Sequence, residues 1–206
     1  MRLRLTMLFL IGLMVFAGCR RDAAPFSDDF SDHASGWPVA STESYQHGYI
    51  SGEYEIRLDE PGLFVWTTIG RQHTDVTLEV QVRSEGTPDN HFGPICRLQN
   101  EDFYYFAVSA DGYYAIFRHS ATGLAPLTGP AMLRSTAIRR EGPSNRLLAV
   151  CEDSELALYV NGEQVARVEI PEEERLSRGD VGLGAGTVRR GQTTIVRFDN
   201  FAADIP

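Results

Sequence analysis

Glu53 and Glu55 stand two residues apart in an alternating stretch, so on a strand both carboxylates share one face about 7 Å apart. That separation falls in the range of an inverting glycosidase, in which one acid protonates the leaving oxygen and the other activates a water. Arg57 continues the same face, and a solvated, charge-paired surface accounts for all three residues without chemistry. Glu79, on the outer face of the next alternating strand, is the one further candidate acid. A second group is aromatic: residues 102–119 hold seven rings. With Ser109 opposite Tyr113, one face collects Tyr104, Phe106, Val108, Tyr114 and Ile116, and the other Phe103, Tyr105, Tyr113 and Phe117. One set must be core. Rings presented outward stack on the apolar faces of sugars, so Phe103, Tyr105, Tyr113 and Phe117 are the expected glycan contacts unless a further chain segment covers them. Asp28, Asp29 and Asp32 cluster near the start of the chain, and Asp199 lies near its end. If the first and last strands pair, Asp28, Asp29 and Asp199 could hold a structural calcium through oxygen ligands, against the commoner capping and turn roles of Asp. No other cofactor is expected. The five histidines are scattered singly, no Gly-x-Ser-x-Gly elbow is present, and the glycine-rich run 182–186 has no helix after it to cradle a phosphate.

The elements that must position these residues are strands. Val76, Leu78, Val80 and Val82 alternate with Thr77, Glu79, Gln81 and Arg83, and residues 49–58 repeat the pattern with Tyr54, Ile56 and Leu58 on one face. Further strands are predicted at 62–69, 91–99, 102–109, 112–119, 145–152, 155–160, 163–169, 180–188 and 193–204. Asn161-Gly162 predicts a two-residue type I′ hairpin, and Ala110-Asp111-Gly112 a three-residue one ending in a left-handed glycine. Residues 120–144 read as a long irregular connection. Many short strands separated by turns indicate an all-β sandwich or closed barrel.

The three cysteines divide by place. Arg2 and Arg4 precede an uncharged apolar stretch, 5–17, too short for a bilayer span of roughly 20 residues and suited to an export signal. Phe16-Ala17-Gly18-Cys19 resembles the lipobox of bacterial lipoproteins, with Phe where Leu is usual. That resemblance implies removal of a signal peptide, residues 1–18, and acylation of Cys19, whose chains would anchor the protein in membrane lipid. The expected location is the cell envelope, outside the cytoplasm, with residues 19–25 as a short tether. In that oxidising compartment Cys96 and Cys151 are left as an even pair. Cys96 reads as sharing a face with Phe92 and Leu98, and Cys151 with Leu147 and Ala149, which points both thiols into one interior and predicts a disulfide.

The chain carries 28 acidic and 19 basic residues, the latter all Arg. Without Arg2 and Arg4 the exported part has 17 basic against 28 acidic, a net charge of −11, which argues against nucleic acid as a partner.

Taken in order, the runs DDFSDHASGW, CRLQNEDFYYFAVSADGYYAIFR, LYVNGEQVA, VGLGAGT and VRFDNFA are similar to concanavalin A-like lectin/glucanase (laminin-G-like) domains. Among these they most resemble bacterial secreted proteins related to the 3-keto-disaccharide hydrolase group. The resemblance covers residues 26–206 and implies a two-sheet antiparallel jelly-roll sandwich, its first and last strands adjacent, with a concave face where sugars bind in those members that bind them. The Glu-x-Asp-x-x-Glu strand of the glucanase branch is absent, which lowers the enzyme reading. The leading expectation is therefore a membrane-anchored, non-catalytic β-sandwich that binds glycan or another envelope component. A glycoside-processing hydrolase and a structural or protein-interaction module at the cell surface are the alternatives.

Overall fold

The computed structural model describes residues 22–140, 142–188 and 193–204. The first part of the chain supplies β1 (Phe26–Asp28), β2 (Ala40–Ser41), β3 (Tyr45–Ile50) and β4 (Glu53–Leu58). Long strands follow: β5 (Phe64–His73), β6 (Val76–Gly86), β7 (Asn90–Gln99), β8 (Asp102–Val108) and β9 (Tyr113–Ser120). Two short ones, β10 (Gly123–Pro126) and β11 (Leu133–Arg134), lie in the stretch expected to be irregular, and both pair with β9. The rest is β12 (Asn145–Glu152), β13 (Glu155–Val160), β14 (Glu163–Glu169), β15 (Gly179–Thr187) and β16 (Thr194–Asp204).

These strands form two antiparallel sheets. One runs β14-β13-β12-β6-β16-β4-β3-β2, with β1 also on β16; the other runs β10-β9-β8-β7-β15-β5, with β11 on β9. The first and last strands are adjacent, Asp28 opposite Phe201. Period-two patterning explains the layers: Tyr54, Ile56 and Leu58, the alternate valines of β6, and Leu147, Ala149 and Cys151 all face the second sheet. Tyr104, Phe106 and Ile116 meet them from the other side, fully buried. The architecture is the two-sheet jelly-roll sandwich.

Two hairpins follow from local chemistry. Asn161 and Gly162 have φ of 52° and 88°, as a type I′ turn requires. Ser51 and Gly52 adopt φ of 52° and 78°, so the alternation read as one strand over 49–58 is the end of β3 and all of β4, with Tyr49 opposite Tyr54. Ser-Gly satisfies the same left-handed turn as Asn-Gly but signals it less strongly.

Cys96 on β7 and Cys151 on β12 form a disulfide that ties the two sheets together, their Cα atoms 6.8 Å apart. Beside it Arg97 takes φ of 54° and breaks the β7 register. This turns Leu98 away from the core to pack with Ile95 on the outer side, correcting the expectation that Leu98 shares the Cys96 face. The Arg97 guanidinium, 1% exposed, donates to the carbonyls of Thr74 and Asp153, each at 2.9 Å, and to Asp75 Oδ1 at 3.1 Å. At the same end Asp22 Oδ1 accepts from the Thr74 amide at 2.9 Å and from Arg178 Nε at 3.2 Å, tying the start of the described chain to the fold.

Candidate functional site

The second sheet carries an aromatic layer on the face turned away from the core. Register aligns Phe103 of β8 with His119 of β9, and Tyr105 with both Phe117 of β9 and Ile95 of β7. On β15 the residues facing this side are Gly182, Gly184 and Gly186, because Val181, Leu183 and Ala185 point into the core. Gly184 lies opposite Trp66 and Gly186 opposite Phe64 on β5. The glycines act by taking no room. A Cβ on Gly184 would stand 3.1 Å from the Phe64 ring, and one on Gly186 would fall within the His91 imidazole. The large side chains of β5 and β7 therefore lie down across β15 and reach the rings of β8.

The result is a continuous ring cluster. Phe64 is 4.9 Å from Tyr105, 5.3 Å from His91 and 5.8 Å from His119, centroid to centroid. Trp66 is 5.3 Å from Phe103 and 4.9 Å from His119, which itself stacks on Phe103 at 4.5 Å and 9°. These spacings are those of favourable tilted and offset ring pairs. Phe103 and Tyr105 form the bed, with no exposed surface, while Phe64, Trp66, His91 and His119 are part-exposed above it. Burial pushes the His91 imidazole down to about 4, so the ring is neutral at pH 7, and burial raises the Tyr105 hydroxyl well above its ordinary value.

The face division expected for β8 and β9 is the one found, but the roles within the outer face differ. Phe103 and Tyr105 are covered by Phe64, Trp66 and the two imidazoles, and Phe117 is 9% exposed, so these three support the surface rather than form it. Tyr113 stands half-buried at the margin, opposite Arg134 of β11. Trp66 and Phe64 were missed. Their signal was Phe64-Val65-Trp66, two large rings at i and i+2, facing the alternate glycines of residues 182–186.

The expected carboxylate chemistry takes a different form. Glu53 and Glu55 lie on the outer face of the first sheet, away from the rings. Arg83 grips Glu53 through two hydrogen bonds of 3.0 and 2.7 Å, and Arg197 Nε holds Glu55 at 2.9 Å. Glu85 bridges the two arginines at 2.6 and 3.0 Å, and Glu79 is held by Arg146. Carboxylates so engaged by guanidinium groups make a surface ion-pair ladder. The expected acidic group is brought together in part: Asp28, Asp29 and Asp32 line one open hollow with Asn200, and Asp199 lies near enough to Asp29 to feel its charge. Asp28 accepts from Trp37 Nε1 at 3.0 Å, from Ser35 Oγ and from the Phe30 amide, locking the first turn onto the core. Asp29 caps Ser31, and Asp199 accepts from the Asn200 amide, its carboxyl raised by burial. Among the described residues no three His, Cys, Asp or Glu side chains form a group that could hold a metal. Cys19 lies outside the described residues. A surface hollow of about 360 Å³, lined by His33, Val39 and Tyr49 among others, opens at the edge of the first sheet, away from the ring cluster.

Comparison with protein-family models finds no match, and no curated protein matches the chain in sequence. Solved structures do match in fold. The carbohydrate binding module CBM66 from Bacillus subtilis aligns with a TM-score of 0.60 at 15% identity, over 82% of this chain and 95% of that one. A Bacillus subtilis protein of unknown function with a galectin-like fold gives 0.66 at 8% identity, over 90% and 97%. The Bacillus licheniformis β-glucanase gives 0.63 at 9% identity, over 90% of this chain and 100% of that one. The fold is thus that of galectin-like and glucanase-like jelly rolls.

Proposed function

We propose that this protein is an extracytoplasmic lipoprotein, anchored through Cys19, whose sandwich binds glycan without cleaving it. The observation that carries the reading is the ring layer: Trp66, Phe64, His91 and His119 form a part-exposed platform held rigid by buried Phe103 and Tyr105. Flat rings fixed side by side are what the apolar face of a sugar stacks on, and rigidity lowers the entropy lost on binding. The same fold in a carbohydrate binding module supports this use of it. Hydrolysis needs two carboxylates flanking the bond. Glu53 and Glu55 are on the opposite sheet and tied to arginines, and the ring layer has Asp180 as the one carboxylate that the β15 register places on its face.

The test is a glycan array probed with the intact protein in detergent micelles, beside Trp66→Ala and Glu53→Gln. Members should be bound, with binding weakened by Trp66→Ala and unaffected by Glu53→Gln. Loss of one ring contact corresponds to about 0.5–1.5 kcal/mol. Binding that survives Trp66→Ala unchanged places the site elsewhere, and cleavage of a bound glycan overturns the non-catalytic part.

A further inference from the structure

The two imidazoles of the ring layer have their protons fixed by opposite partners. His119 Nδ1 is 2.6 Å from the Glu101 carbonyl. A carbonyl only accepts, so Nδ1 carries the proton, and in the neutral ring Nε2 is a bare acceptor. His91 Nδ1 is 3.1 Å from the Tyr105 hydroxyl, whose side chain is fully buried. That hydroxyl must donate to something. The Gly184 carbonyl, at 3.4 Å, is beyond the ordinary range of an O–H···O bond, which leaves His91 Nδ1 as its acceptor. The His91 proton is then on Nε2. Among the described residues neither Nε2 has a hydrogen-bond partner and neither is fully buried, His91 Nε2 lying at the edge of its ring over Gly186. Both rings pack against Phe64.

From this geometry we infer that the ring platform presents one hydrogen-bond donor, His91 Nε2–H, and one acceptor, His119 Nε2, on either side of Phe64, and so selects an uncharged, hydroxyl-bearing sugar ring. The inference rests on the glycan reading and narrows its ligand class. A sugar hydroxyl is both donor and acceptor, so neighbouring hydroxyls answer a donor and an acceptor at once, whereas a carboxylate or sulfate only accepts and leaves His119 Nε2 unanswered. The charged side chains that register sets on this face, Asp180 beside Leu98 and Arg134 beside Tyr113, stand toward its opposite ends, not between the imidazoles.

Two measurements separate this inference from the reading beneath it. The first needs no ligand: two-bond 1H–15N imidazole spectra of the ¹⁵N-histidine-labelled intact protein in micelles at pH 8, assigned with single His→Gln variants. His91 should show Nε2–H with a bare Nδ1, and His119 the reverse. Either ring in the other tautomer overturns the donor–acceptor pair whatever the protein binds. The second is the array, with neutral, carboxylated and sulfated members. Bound members should be neutral, and His91→Phe or His119→Phe should weaken them about 2- to 12-fold, as one hydrogen bond is worth. His119→Gln, which keeps an acceptor, should restore much of the loss. Preference for anionic members overturns the neutral-ligand inference and leaves glycan binding standing. An array with no bound member removes the glycan reading, and this ligand class with it.

Discussion

Gly186→Ala is the sharpest probe of the ring layer, because the added methyl must occupy space the His91 imidazole already fills. On an open strand position alanine is at least as favourable as glycine, since glycine gives up more backbone freedom on folding. Here His91 must leave, and it is hemmed by Phe64 at 5.3 Å, Tyr105 at 5.7 Å and Phe117 at 6.4 Å. Overpacking of this sort costs about 1–3 kcal/mol. Expelling the ring also strands the buried Tyr105 hydroxyl, at about 1–3 kcal/mol. The sum, about 2–6 kcal/mol, should show in urea denaturation as a lower midpoint with an unchanged slope. His91→Ala removes the obstacle at its own cost, and in that background Gly186→Ala should be close to neutral. The coupling between the two changes should therefore equal nearly the whole cost of Gly186→Ala in the parent, about 2–6 kcal/mol, at or above the upper end for residues in contact. Additive effects, or a neutral Gly186→Ala in the parent, refute the account of why residues 182–186 alternate glycine.

Acid should weaken the fold through its histidines. The His91 imidazole is held down to about 4 from 6.5 by burial, and burial lowers His73 as well. The unfolded chain takes protons that the folded one refuses, so stability present above pH 6.5 is lost as pH falls toward 4, by about 3 kcal/mol at most for His91; His91→Gln should flatten that part of the pH curve, and an unaltered curve counts against it. The Cys96–Cys151 bridge should leave no alkylatable thiol at either residue in the unfolded, unreduced protein, and its reduction should cost roughly 4 kcal/mol for a loop of this length. Two free thiols by mass spectrometry would remove it. Cys19→Ser should abolish labelling by a fatty-acid analogue and membrane retention; a mutant still labelled would move the acylation site.

What was legible in the sequence is what repeats locally. Period two separated the faces of β8 and β9 correctly, Asn161-Gly162 and Gly112 marked their turns, and the face assignments of Cys96 and Cys151 led to the bridge. Tertiary placement was harder. One left-handed residue, Arg97, reverses the face of Leu98, and nothing in its residue type announces it. The aromatic row on β8 was visible, but which rings cover it depends on strand order. Trp66 on β5 reaches Phe103 only because β15 and β7 intervene with small or low-lying residues, a fact belonging to four strands at once. Asp28 read as a metal ligand because its neighbours are acidic. Its hydrogen-bond partners, Trp37 and Ser35, lie seven to nine residues along the chain and give it a structural role that its acidic neighbours did not suggest.

The two outer faces of the sandwich answer the same problem in opposite ways, and the contrast bears on where a ligand would sit. Both must meet water across a sheet whose inner face is largely apolar. The first sheet does so with an ion-pair ladder, Glu53–Arg83–Glu85–Arg197–Glu55, in which each charge is neutralised by a neighbour on the same surface. Exposed pairs of this sort contribute little to stability, but they leave little apolar area to attract a partner. The outer face of the second sheet instead builds a second apolar cluster, Ile95, Phe103, Tyr105, Ala107, Ala115 and Phe117, outside the main core. It is capped by Phe64 and Trp66 with Leu98, Leu124 and Met132, and the His91 and His119 imidazoles lie among the rings. A face that is apolar in its plane and polar at chosen points matches a sugar ring, whose surfaces are apolar and whose rim is hydroxylated.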